Sequence, residues 1–506
     1  MLLGLGGCGL LLDVERPNAK QLDGGTEQDR RPMDISAAVD RPADFGNIDD
    51  GAESDGSTID VWRDDASRDG GGSDTGLAEV GSDGSTGDFV PSNVGETAQM
   101  LATGMERPAV VGSTGAPVWI VYTDSGQIDG YGPTGDRVGT IRVAGPGTLS
   151  GITYVSVPQG SSHPPLGVFI VQSLTVPMST QLIGTASVGC DTDDRGAYPD
   201  GTLVPIAATP AMVWIALESV RIEGRVSVSA NALLPGPGGF CGGFIASGMG
   251  GDRPGRPGRG PGGGMGGQSG DAFCGSRDQS DGGGGGGSFG ARGGNGGAGG
   301  CSTMTIGAAG SLAGDAALSP LFGGSGGGTG AENEAGRGGH GGGALQITAM
   351  ESLDVTGTGE VVAGGGGAEG GHDETENDNG SGGSGGGSGG AILLEAGELF
   401  LAGWIGAHGG SGSQGGTDTG DDGLSGAVAV PRVVPAPGPP GTSFGGGGGS
   451  GSDNSSAAGN GVDAHNAGGG GGGAGRIRIN TRSGARPAGL TATIVPSPSY
   501  GRLVAP

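Results

Sequence analysis

Lysine is almost absent. Lys20 stands alone, and arginine supplies the rest of the 25 basic residues against 53 Asp and Glu, for a net charge of −28. With a pI near 4.3 and no basic patch to offset phosphate repulsion, nucleic acid is excluded as a partner. Aromatic residues make up 4% of the chain, which argues against a large conventional core. No run of 18 apolar residues occurs, so no segment reads as a membrane-spanning helix. GxSxG, HExxH and a P-loop lysine are missing. Chance GxGxxG matches abound, but none follows a strand and opens a helix, so no dinucleotide site is indicated. No catalytic residue, cofactor or metal is expected.

Glycine is what the chain has in excess. Glycine (128) and proline (30) together approach a third of the 506 residues. Without a Gly-X-Y period that composition normally reads as low complexity. Short apolar stretches punctuate it. Ala344–Gly357, ALQITAMESLDVTG, aligns without a gap on Ala211–Gly224, AMVWIALESVRIEG; a third copy, one residue shorter, is Ala391–Gly403, AILLEAGELFLAG. Within each copy apolar and polar residues alternate, the period of a strand with one buried face. A kink at Met350-Glu351-Ser352 divides two such strands. Recurrence of the unit points to coils of a parallel β-solenoid. The alternative is an antiparallel hairpin, although the kink lacks Asn-Gly or Asp-Gly.

Between the copies run the glycine tracts, from Gly236 to about Gly343, Gly364 to Gly390 and Gly409 to Gly475. Fixing each backbone residue costs roughly 1–2 kcal/mol, more for glycine, against about 0.5–1.5 kcal/mol net per hydrogen bond. An isolated tract is therefore expected to be disordered. A bundle can be ordered, because extended threefold glycine helices approach closely where no Cβ intervenes. The expected fold class is all-β: solenoid-like coils clamping inserted glycine-rich tracts, with a polyglycine-II bundle as the ordered form of those tracts.

The N-terminus reads MLLGLGGCGLLLD. Leu5-Gly6-Gly7-Cys8 resembles a bacterial lipobox, which implies acylation of Cys8 and a membrane partner through that lipid. Only seven residues precede Cys8 and no basic n-region is present, so this reading requires a start codon further upstream. The alternative is a short apolar N-terminus with an incidental cysteine. Residues 1–100 hold 21 Asp and Glu against 7 Lys and Arg, and the acidic, apolar-poor stretch from residue 14 to about 95 is expected to be a disordered stalk. Order is expected to begin near Glu96. Strands are expected at Val118–Tyr122, Ile141–Val143, Ile152–Val157, Val168–Val171, Leu174–Val176, Gln181–Gly184, Arg476–Asn480 and Leu490–Val495. The resulting division is 1–13 lipobox or signal remnant, 14–95 acidic linker, 96–210 β-rich capping region, and 211–506 glycine-rich solenoid region.

Apart from Cys8 the cysteines are Cys190, Cys241, Cys274 and Cys301. An even number in an exported chain suggests two disulfides with three possible connectivities. Zinc is the lesser alternative, since no CxxC pair exists. The histidines, His163, His340, His372, His408 and His465, are scattered. His372-Asp373-Glu374 with Glu376 and Asp378 could hold a cation but reads first as a solvated loop. Asp191–Gly196 starts like a calcium loop and fails at Arg195 and Thr202.

The succession GVFIVQSLTVP, VRIEG, GPGGFCGG, GGGGGGSFGARGGNGG, PLFGGSGGG, GGGALQITA, GGSGGAILLEA and GGGGAGRIRIN resembles a set of uncharacterised bacterial glycine-rich exported proteins, over about residues 96–482. The resemblance brings no activity, cofactor or site residues. The tracts are also similar in kind to the glycine-rich regions of phage tail-tip adhesins and of a receptor tyrosine kinase ectodomain, where polyglycine-II packing occurs. Three readings of function stand. The first is a non-catalytic surface structural or adhesive lipoprotein of the bacterial envelope, with a surface glycan or protein as ligand. The second is a β-helix polysaccharide-active enzyme using outward carboxylates such as Asp354 and Glu395. The third is a disordered extracellular matrix component.

Overall fold

A computed structural model describes residues 89–505 except 96–103, 105, 112–115, 161, 186–189, 191–208, 246–253, 271–279, 301–304, 333–334, 375–378, 417–421, 430, 433–434, 443 and 454–455. Among the described residues there is no α-helix, and no helix is long and apolar enough to cross a membrane.

Strands form where apolar and β-branched residues cluster between glycines. The copies of the repeat pair with one another in parallel. Met212 to Ala216 lie beside Leu345 to Ala349, and Ser219 to Ile222 beside Ser352 to Val355, the register of the ungapped alignment. Ala344 to Ala349 then lie beside Ala391 to Ala396, and a bulge absorbs the one-residue difference before Ser352 meets Glu398. The Met350–Ser352 kink is not a break: Ala344–Val355 is one twelve-residue strand. Parallel neighbours continue outward through Leu166–Val171 on one side, and through Arg476–Thr481 and Ser499–Arg502 on the other.

The expected β-solenoid is corrected by the sheets these strands belong to. They lie in two mixed sheets, of eleven and eight strands, with a separate two-stranded ribbon. Gly147–Leu149, Ile152–Val157 and Leu166–Val171 form an antiparallel meander that joins the larger sheet. Val118–Tyr122, Ile128–Tyr131 and Arg137–Arg142 do the same in the smaller one. The region expected to cap a stack is thus part of both sheets. Alternation reports which face of a strand is buried; it does not report the direction of the neighbouring strand.

The sheets share a core. Trp119, Leu182, Val226, Val361 and Ile405 from the smaller sheet join Phe169, Trp214, Leu345, Ile347 and Leu394 from the larger. Phe169 and Trp214 stack at 4.9 Å between ring centroids. The opposite face of the larger sheet is buried as well, with Val168, Ile170, Val213, Ile215 and Leu393 packed near Phe89, Phe289, Leu321 and Phe322. Leu166–Val171 and Ala211–Ala216, covered on both sides, accordingly read as uninterrupted apolar runs.

The glycine tracts pack against one another with a contact period of three. Gly283 and Gly286 donate to the carbonyls of Gly297 and Gly294, Gly284 and Gly287 to those of Gly383 and Gly386, and Gly285 and Ser288 to those of Met265 and Gly262. One tract therefore bonds neighbours in three directions. A Cβ on Gly282, Gly283 or Gly284 would collide with the carbonyl oxygen of Thr305, Gly468 or Gly328 respectively. The demand for glycine here is steric: the tracts touch backbone to backbone.

Serines occupy lattice positions where a hydroxyl can replace a missing carbonyl. Ser388 Oγ accepts the Ser325 amide at 2.8 Å, Ser413 Oγ the Ser384 amide at 2.8 Å, and Ser325 Oγ the Gly262 amide at 3.0 Å. All four serines are fully buried. Each satisfies a backbone donor that would otherwise lose water without recompense.

Candidate functional site

Two constellations of chemically capable side chains stand out. The first lies where the first glycine tract begins. Cys241 follows Phe240 at the mouth of that tract and is disulfide-bonded to Cys190. His340, in the returning run Gly338 to Gly343, sits beside them. Its Nδ1 accepts the Gly242 amide at 3.0 Å and lies 3.8 Å from Cys190 Sγ. That acceptor role places the ring proton of the neutral imidazole on Nε2. The backbone holds the group in place: Cys241 carbonyl accepts from Arg259 at 2.9 Å, and His340 carbonyl from Gly366 at 2.8 Å. Cys241 and His340 are buried and Cys190 is half-buried. Among the described residues this is the one group of three His, Cys, Asp or Glu side chains close enough to share a metal ion, with ligand atoms within 4.8 Å of one another.

The second constellation is a buried polar ladder on the outer face of the larger sheet. Thr348, Glu395 and Asn480 are successive cross-strand neighbours in parallel register. Glu395 is fully buried. Its carboxylate accepts from Gln346 Nε2 at 2.9 Å, Thr348 Oγ1 at 3.0 Å, Asn480 Nδ2 at 2.8 Å and the Ser92 amide at 3.2 Å, and also from the Ser92 hydroxyl. Several neutral donors thus solvate one carboxylate in the interior, the arrangement that compensates for lost hydration. The lid is the segment Phe89 to Gly95. Phe89 and Val94 anchor it in the apolar cluster, Val90 pairs with Val504, and Asn93 bonds Gln346 and the Leu318 carbonyl. Order among the described residues therefore includes Phe89 to Gly95, ahead of the boundary expected at Glu96.

The remaining sequence candidates are dispersed. Cys8, Cys274, Cys301, Glu376, Asp378 and the Asp191–Gly196 loop with Thr202 lie outside the described residues. Asp373 and Glu374 form half of the two-stranded ribbon, and His372 Nδ1 faces an Asp422 carboxylate oxygen at 3.2 Å. His163 packs by Phe322 and His465 by Phe444, while His408 is buried. Of the two carboxylates expected to face outward, Asp354 pairs with Arg221 at the surface, but Glu395 points inward. Alternation alone placed Glu395 on the solvent face; a second layer covers that face.

A second buried charge is structural. The Arg142 guanidinium donates to the carbonyls of Ile152, Gly126, Val143, Gly145 and Gly147 at 2.7–3.1 Å and lies over the Tyr154 ring. Burial lowers its pKa from the ordinary arginine value, and the carbonyls supply the hydration it has lost. Burial likewise pushes the Tyr154 phenol up to about 12.

No known family model, curated protein or solved structure matches the chain.

Proposed function

We propose that this chain is a non-catalytic structural or adhesive module of the bacterial cell surface. In this reading it is lipid-anchored at Cys8, spaced by the acidic segment, and displays a stiff glycine-rich body to a glycan or protein ligand. It is a member in kind of the exported glycine-rich proteins it resembles. The observation that carries the reading is the packing of the tracts. Their interior is backbone against backbone, with carbonyls of one tract occupying the space where side chains of the next would stand. Such a volume offers few side chains for chemistry, and resists deformation because each tract bonds neighbours in several directions.

The test is fractionation and surface proteolysis of cells making the full chain. Under this proposal the wild type sediments with membranes, a Cys8→Ser variant moves to the soluble fraction, and the body persists as a protease-resistant fragment. Recovery of wild type in the soluble fraction would remove the anchor. Rapid digestion of the tracts would remove the stiff body and favour the matrix reading.

A further inference from the structure

We infer that Cys190, Cys241 and His340 form a site for one thiophilic divalent cation of the zinc class, opened when the Cys190–Cys241 bond is reduced. The ligand set is two sulfurs and one imidazole nitrogen, the softness and number that suit tetrahedral Zn2+ with a fourth position left for water. Three features of the structure favour it. The ligand atoms already lie within 4.8 Å of one another. His340 Nδ1, the nitrogen that accepts the Gly242 amide, is also the ring nitrogen nearest the sulfurs, 3.8 Å from Cys190 Sγ. Finally, the imidazole and Cys241 are fixed by backbone bonds in packed tracts, whereas half-buried Cys190 gives reductant and cation a way in.

The chemistry balances. A phosphine and one water reduce the disulfide, giving two thiols and the phosphine oxide; a dithiol protein would do the same and become a disulfide itself. The two thiols then bind M2+ as thiolates and release two protons, while His340 binds through neutral Nδ1. The Gly242 amide, which now donates to Nδ1, is then free to donate to the adjoining Cys241 thiolate. Metal would thus keep segment 190 joined to the tract at 241 when the covalent bond is lost.

Cobalt(II), with the full chain, is the probe. After phosphine reduction, about one equivalent should give the visible absorption of tetrahedral cobalt with a thiolate charge-transfer band, and Zn2+ should bleach it. The unreduced protein should give neither. A variant carrying Cys8→Ser, Cys274→Ser and Cys301→Ser should keep the signal, and Cys241→Ser should lose it. His340→Gln retains an acceptor for the Gly242 amide, so circular dichroism should stay unchanged while affinity falls at least about ten-fold. The inference is overturned if thiol titration shows Cys190 and Cys241 reduced and no band appears. It is equally overturned if the band survives undiminished in His340→Gln or depends on Cys274 and Cys301.

Discussion

The paired sheets and the glycine tracts are packed by opposite means. Between the sheets, large side chains such as Trp119, Trp214 and Leu345 fill the space and backbones stand well apart. In the tracts the side chains are gone and carbonyls fill the space instead. One region draws on apolar burial, worth about 1.5–3 kcal/mol for a large side chain. The other relies on backbone hydrogen bonds, a few serine hydroxyls and contact between backbones, so each amide matters and at most of its glycines an added methyl group would collide. Ordering a tract is a collective property: Gly284 needs Gly383, which in turn needs Ala467. The sheets supply the fixed ends, since Gly343 leads into Ala344 and Gly390 into Ala391.

The largest effect is expected from the sheet side. Trp214→Ala should cost about 3–5 kcal/mol in denaturant unfolding. If sheets and tracts unfold as one, hydrogen exchange in both should accelerate together. Gly469→Ala should cost about 3 kcal/mol, because its Cβ would strike the Ser384 carbonyl. Its effect on exchange should centre on the tract around Ser381 to Gly390, leaving Trp214 fluorescence native. A Gly469→Ala protein as stable as wild type would mean that the tracts are not packed as described.

Glu395→Gln should cost roughly 2 kcal/mol, by turning an amide group toward donors that now converge on a carboxylate. Proteolysis should then cut first near Phe89 to Gly95. Alkaline titration probes Tyr154. Its folded pKa, about 12, lies above the unfolded value near 10. Its contribution is therefore complete below pH 10 and is lost as pH rises from 10 toward 12. A Tyr154→Phe variant should show a smaller loss of stability over that window. The smallest effect belongs to Gly357→Ala, within about 0.5 kcal/mol, because nothing lies within 4 Å of its added Cβ. Gly357 and Gly469 are the same residue type, and only neighbouring tracts separate their outcomes.

Much of the strand pattern was legible. Val118–Tyr122, Ile152–Val157 and Leu174–Val176 fall at the expected residues, and Gln181–Thr185 and Arg476–Thr481 extend theirs by one. Three-residue strands such as Arg225–Ser227, Glu360–Val362 and Trp404–Gly406 were missed. They are too short to show a period, yet each begins one to three positions after the glycine that ends a repeat copy, which is the signal that could have found them. Phe89 was read as part of the acidic stretch because one aromatic beside Asp88 has no local pattern. The lattice serines were unread because Ser within glycine looks like linker composition.

Legible from the chain alone are the longer strands, the register shared by the repeat copies and the tracts where side chains are forbidden. Those properties follow from local alternation, self-similarity and the absence of Cβ. Packing across layers settles the rest: antiparallel meanders join the parallel stack, Glu395 turns inward beneath Ser92, and Cys190 meets Cys241 beside His340. Each of these depends on what lies across a face or a gap of up to some three hundred residues, and a strand's own residues carry no record of the layer that covers them.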